Sequence, residues 1–186
     1  PLGPMSTPAP PVIEYDPQGN IANSWGDATL LPNGGTRTLP RGVPPDLPDG
    51  RGKVAGMSKH PHFDDRGTLS WHTRWEDALA AARRDGKLVF IEMGREQCSN
   101  CRTLVQGVVP QPKVAKLLQE RFVALASDVD DPEPAVLDLA MQNLADATML
   151  PFVLFTDAEG NFLAGGHGAV HPDRFRETLE ELAAAG

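Results

Sequence analysis

Cysteine is nearly absent from this chain: there are two in 186 residues, Cys98 and Cys101, three positions apart. That excludes a small disulfide-stapled scaffold, which needs several bridges to stand in for a core. Long apolar runs are missing too; the longest are a handful of residues, too short to cross a bilayer as a helix. Positive charge is in deficit, with 17 Lys and Arg against 25 Asp and Glu and a formal net charge of −8. Nucleic-acid binding needs a basic face to displace counterions from phosphates, so this balance speaks against it. What remains is a length that suits one ordinary domain with a sizeable core, plus an extension.

Proline and glycine are abundant, but unevenly placed. At or before Arg66 stand 12 of the 18 prolines and 9 of the 18 glycines. Such a density cannot support long helices or central strands. Runs such as Thr7-Pro8-Ala9-Pro10-Pro11 and Val43-Pro44-Pro45-Asp46-Leu47-Pro48 read as extended, polyproline-like linker. We therefore divide the chain into an irregular, almost neutral arm over 1–66 and an acidic folded domain over 67–186. Within the arm, Val12–Tyr15 and Ile21–Trp25 resemble a short hairpin, and Pro1–Pro4 reads as a cloning or protease-site remnant ahead of Met5. No charged and apolar leader follows Met5.

The folded part alternates helical and strand patterns. Thr73-Arg74-Trp75-Glu76 fits a capping box, and Trp75, Ala78, Leu79 and Ala82 follow at helical spacing until Asp85-Gly86. Leu88–Ile91 is a short continuous apolar run, as in a strand buried on both faces, with Glu92 at its end. Helices over Pro112–Glu120, Pro134–Asn143 and Pro172–Ala185 and strands over Phe122–Ala126, Phe152–Phe155 and Asn161–Ala164 complete the series, the last two strands joined by a hairpin turn at Asp157–Gly160. This order predicts an α/β fold, a central mixed β-sheet flanked by helices.

The chemistry is concentrated at the cysteines. Gly94 to Val105 reads as a strand-to-helix turn with Cys98 at the helix start. There the first sulfur meets unpaired backbone N–H groups and the positive end of the helix dipole, both of which favour a thiolate. Cys101, one turn later, faces inward and can attack a mixed disulfide formed by Cys98. Zinc would need further ligands from elsewhere, because no second cysteine pair exists. Glu92, six residues before Cys98, is costly in a buried strand unless it has a partner or a task. Accepting and returning the Cys101 proton is such a task.

Glu92 to Cys101, followed by Leu150-Pro151-Phe152-Val153-Leu154-Phe155 and Asp157–Gly160, resembles the thioredoxin superfamily from about Trp71 to the end. Within it the chain is most similar to extracytoplasmic bacterial thioredoxin-like proteins and to endoplasmic-reticulum thioredoxin-domain proteins related to anterior gradient proteins. The resemblance implies a thioredoxin fold and a protein thiol–disulfide oxidoreductase with Cys98 as attacking thiol, Cys101 as resolving thiol and Glu92 as proton carrier. It implies that Pro151 is a cis-proline, leaving the Leu150 backbone free to pair with an extended substrate strand. No dissociable cofactor and no metal are called for; the implied partners are protein substrates and a redox protein that exchanges electrons with the pair. A monomer outside the cytoplasm, periplasmic or membrane-tethered with its signal removed, suits the long arm, with the cytoplasm as the alternative. Two positions depart from the pattern: Gln97 replaces the usual Trp, and Ser99-Asn100 replaces Gly-Pro or Gly-His.

Two other functions compete with this one. The fold can serve as a client-binding or assembly module with incidental cysteines, or as a copper-handling thiol protein with Cys98, Cys101 and His167 as ligands. His60, His62 and His72, near the junction of arm and domain, read as solvated histidines, and His167 reads as a turn residue. The acidic stretch Asp128–Glu133 reads as a solvated loop, and Met141 and Met149 as core.

Overall fold

The computed structural model describes residues 58–185. In chain order these form β1 (Trp71–His72), α1 (Trp75–Asp85), β2 (Leu88–Gly94), α2 (Ser99–Arg102), α3 (Pro112–Arg121), β3 (Phe122–Asp128), α4 (Pro134–Asn143), β4 (Phe152–Thr156), β5 (Phe162–His167) and α5 (Pro172–Ala185). Helix α2 runs directly into a π-helical segment over Thr103–Val108. The hairpin expected over Val12–Trp25 lies outside the described residues.

One five-stranded sheet, ordered β1-β3-β2-β4-β5, organises the domain. Strand β2 lies at its centre, parallel to β3 with Phe90 opposite Ala124 and antiparallel to β4 with Phe90 opposite Phe155. A central strand needs apolar side chains on both faces, which is why β2 reads as a continuous run and not an alternating one. On one face, Phe90, Ala124, Ala126, Val153 and Phe155 pack with Leu104, Leu118, Phe175 and Leu179. Phe90 lies 5.6 Å, centroid to centroid, from both Phe155 and Phe175. Aromatic pairs at such separations contribute about 0.5–1.5 kcal/mol each beyond their area burial. On the other face, Val89, Ile91, Met93, Leu125 and Leu154 pack with Ala78, Leu79 and Ala82 of α1 and Val136 and Ala140 of α4.

Several expectations need correction. Helix α1 begins one residue late for the capping box: Arg74 holds the N-cap position without a side-chain hydrogen bond, so Glu76 falls one position short of N3. Glu76 and Asp77 in the first turn and Arg83 and Arg84 in the last still oppose the helix dipole favourably. The helix ends as expected at Gly86, whose φ of 63° is the left-handed cap that glycine adopts without a Cβ penalty. Met141 and Met149 are not core but 64% and 39% exposed: α4 packs through Val136, Leu139 and Ala140, and Met149 lies in the loop before Pro151.

The junction with the arm is structured. Ser58 and Trp71 exchange backbone hydrogen bonds of 2.9 and 2.8 Å. Asp65 is buried, and its carboxylate accepts from the Trp71 indole Nε1 (2.9 Å), the Leu69 N–H (2.9 Å) and the Gly67 N–H (3.1 Å). Residues 58–66, on the arm side of the division drawn from composition, thus pack on the domain. His60 and His72 are buried and not solvated, and His62 lies 3.3 Å from the Asp128 carboxylate.

Candidate active site

Strand β2 delivers the site's acid, and the turn after it delivers the sulfurs. Phe90, Glu92 and Gly94 alternate onto the sheet face that packs against α2. Arg95, Glu96 and Gln97 form an exposed loop, and Cys98 takes an extended conformation as the N-cap of α2. Its Sγ accepts a hydrogen bond from the Cys101 backbone N–H at 3.1 Å. The Cys98 sulfur therefore sits among the unpaired N–H groups at the start of a helix that continues, through its π-helical segment, to Val108. Leu104, Val105 and Val108 anchor this helix in the core.

The cysteines are joined as a disulfide. Cys98 is partly exposed and Cys101 is fully buried, so one sulfur is open to solvent and the other faces the protein. Beneath Cys101 stands Glu92, which is 1% exposed. A methyl group built on Gly94 would overlap Glu92 Oε1 and lie 2.7 Å from Cys101 Sγ. Carboxyl oxygen and sulfur thus border the same space over a bare backbone, with no Gly94 side chain between them. Oε1 has no hydrogen-bond partner, whereas Oε2 lies 3.0 Å from His60 Nε2.

The other flank is the loop before β4. The Leu150–Pro151 peptide is cis, and the Pro151 carbonyl accepts from the Gly168 N–H at 3.0 Å. The Leu150 carbonyl accepts from Asn100 Nδ2 at 3.1 Å, so the side chain of the second intervening residue already occupies part of the backbone expected to be free. The two nearby arginines are engaged as well. Arg95 pairs with Asp130 at 3.0 Å, and Arg102 Cζ lies 5.9 Å from the Phe63 ring centroid. His167 ends β5 opposite Phe152, with a buried Nδ1 lacking a partner, and burial pulls its pKa below the ordinary value. Among the described residues, no group of three or more His, Cys, Asp or Glu could hold a metal ion.

Sequence reasoning missed His60. Nothing in His60-Pro61-His62-Phe63 announces a partner 32 residues away; the available signal was Glu92, a carboxyl in an apolar strand that required one.

Fold and site together define a thioredoxin-fold protein with a cysteine pair of the kind that supports thiol–disulfide chemistry. A family model described as thioredoxin-like matches residues 70–158. Among solved structures, a thioredoxin from Thermus thermophilus is 24% identical with a TM-score of 0.52, the match covering 64% of this chain and 90% of that one. A candidate disulphide-isomerase from Bacteroides thetaiotaomicron is 22% identical with a TM-score of 0.51, covering 62% and 91%. A search of curated proteins found no match to the chain. Residues 70–158 are thioredoxin-like, and the domain that contains them has the thioredoxin fold.

Proposed function

We propose that this protein is a thiol–disulfide oxidoreductase acting on protein substrates through Cys98 and Cys101. The observation that carries the reading is the asymmetry of the pair: a partly exposed N-cap sulfur, and a buried sulfur facing a buried, otherwise unpartnered carboxyl oxygen. Structural disulfides do not need a proton carrier on one side only.

In the reducing direction the Cys98 thiolate attacks a client disulfide, forming a Cys98–client mixed disulfide and releasing one client thiolate. Glu92 takes the Cys101 proton at Oε1. The Cys101 thiolate then attacks Cys98 Sγ, the mixed disulfide breaks, and the second client thiolate leaves and is protonated from solvent. Two electrons have passed from the cysteine pair to the client. In reverse, an incoming thiolate attacks Cys98, and Cys101 departs as a thiolate that recovers its proton from Glu92. The client strand lies beside Leu150 and Pro151, where pairing to the Leu150 carbonyl requires Asn100 to yield or to share it.

Insulin reduction, followed by turbidity with dithiothreitol as electron donor, tests the reading. Activity that disappears in Cys98→Ser is expected; full activity in that variant would overturn the proposal and leave a binding module.

A further inference from the structure

We propose that His60 is a positioning residue for proton transfer at the cysteine pair, fixing which oxygen of Glu92 carries the proton. The inference rests on Glu92 serving Cys101 as described above, and it adds a residue from outside the part of the chain that resembles the superfamily.

The argument begins at the far side of the imidazole. His60 Nδ1 accepts hydrogen bonds from two backbone N–H groups, those of His62 and Phe63, each at 3.2 Å. A nitrogen receiving two donors carries no proton, so the ring proton is on Nε2. Nε2 therefore donates to Glu92 Oε2 at 3.0 Å, and the pair is a neutral imidazole bound to a carboxyl group. Putting a second proton on the ring would turn an N–H against two N–H groups, which keeps His60 out of the proton traffic itself.

The consequence falls on Glu92. With Oε2 occupied as an acceptor, a proton on Glu92 resides on Oε1. Oε1 is the oxygen that shares its space with Cys101 Sγ and has no other partner. Without His60 the carboxyl could rotate, and its proton could settle on either oxygen, only one of which faces sulfur. The ring is itself held firmly. It stacks on Phe63 (5.5 Å between centroids) and meets Trp71 edge-on (4.6 Å), and its side chain is 0% exposed. His62, the titratable neighbour on the same turn, is directed instead to Asp128.

The test separates the two sulfurs. Reduced full-length protein mixed with excess Ellman's reagent releases one thionitrobenzoate when Cys98 attacks and a second when Cys101 resolves the mixed disulfide, so stopped-flow absorbance reads the two steps apart. His60→Phe fills the site without a donor. It is expected to leave the first phase unchanged and slow the second about tenfold, part of the 10²–10⁴ that a well-placed proton carrier supplies. His60→Gln, which retains a neutral N–H donor, is expected to restore most of that loss.

Equal slowing of both phases, an unaltered second phase in His60→Phe, or no rescue by His60→Gln would overturn the inference. Glu92→Gln, run alongside, keeps the two readings distinct. If it slows the second phase while His60→Phe does not, only the role of His60 fails; if it does not, the proton-carrier role of Glu92 fails with it. Should His60→Phe not fold, nitrogen NMR of the wild-type protein at pH 7 decides. The Nε2–H tautomer at His60 supports the inference, and the Nδ1–H tautomer overturns it.

Discussion

Gly94 is the point at which the geometry of the site can be perturbed by a single methyl group. An added Cβ would overlap Glu92 Oε1, lie 2.7 Å from Cys101 Sγ and 3.2 Å from Glu92 Cδ. Nothing there is the free end of an exposed chain: Glu92 and Cys101 are buried, and β2 is paired on both sides. Something must shift, and overpacking of this kind costs about 1–3 kcal/mol. At roughly 3–4 °C per kcal/mol for a domain of intermediate size, Gly94→Ala should melt about 3–12 °C lower. The kinetic effect should be larger than the stability effect suggests, because a displacement of about 1 Å between reacting groups can cost a factor of order 10². The second thionitrobenzoate phase should therefore slow about 10–100-fold while the first changes little. Gly107→Ala is the internal control. Its new Cβ would meet nothing within 4 Å, so it should be neutral or more stable by about 0.4–1 kcal/mol. Gly94→Ala with wild-type melting and a wild-type second phase would refute the reasoning, since Glu92 and Cys101 could not then share that space.

Two further outcomes follow from the junction with the arm. Asp65→Asn can keep at most two of the three hydrogen bonds that the carboxylate accepts from Trp71, Leu69 and Gly67, because its NH₂ must face one of those donors. A loss of about 1–3 kcal/mol in urea unfolding is expected, and a change under 0.5 kcal/mol would count against the bonding pattern. His72 has its pKa held below the ordinary 6.5 chiefly by burial, with Asp77 opposing. The unfolded chain then binds more protons than the folded one over the interval beneath 6.5. Stability is fully present above that value and falls as pH drops through the interval. His72→Leu should flatten this part of the stability–pH curve, leaving the parallel contribution of His167; an unchanged slope between pH 7.5 and 5.5 would exclude His72 as its source.

Legibility in the sequence followed the range of the interactions. Helix α1 and strand β2 carry their own periodicity, so their existence and faces could be read locally. The start of α1 could not, because Thr73 and Arg74 both precede the same apolar stripe and tertiary packing chooses between them. Strand β1 has two residues, too few for any period, and exists because Trp71 and His72 pair with Ala124 and Leu125 of β3. The cysteine spacing and the misplaced carboxyl of Glu92 marked the site, but its second flank was visible only through resemblance. Asn100 against the Leu150 carbonyl is a contact across 50 residues that no local pattern announces. The same holds for His60, which composition assigned to the arm along with the prolines around it.

That misassignment has a physical explanation with consequences for the boundary of the domain. Composition detects where a chain cannot form regular elements; it does not detect where an irregular segment is fixed by hydrogen bonds. Between Ser58 and Trp71 the chain is irregular yet strongly tied: a backbone bridge closes its ends, Asp65 binds three donors inside it, and Phe63 lies beneath the Arg102 guanidinium of the cysteine-bearing helix. An isolated carboxyl at position 92 would carry the penalty of a buried polar group on the central strand. The imidazole that offsets it comes from this segment and from no element of the sheet. Cutting the chain at residue 66 would remove His60, Phe63 and Asp65 together, uncovering Glu92 and releasing the Trp71 indole. The domain therefore begins no later than Ser58, and the segment from Ser58 to Arg66 supplies, in His60, the partner of the carboxyl that stands beside the cysteine pair.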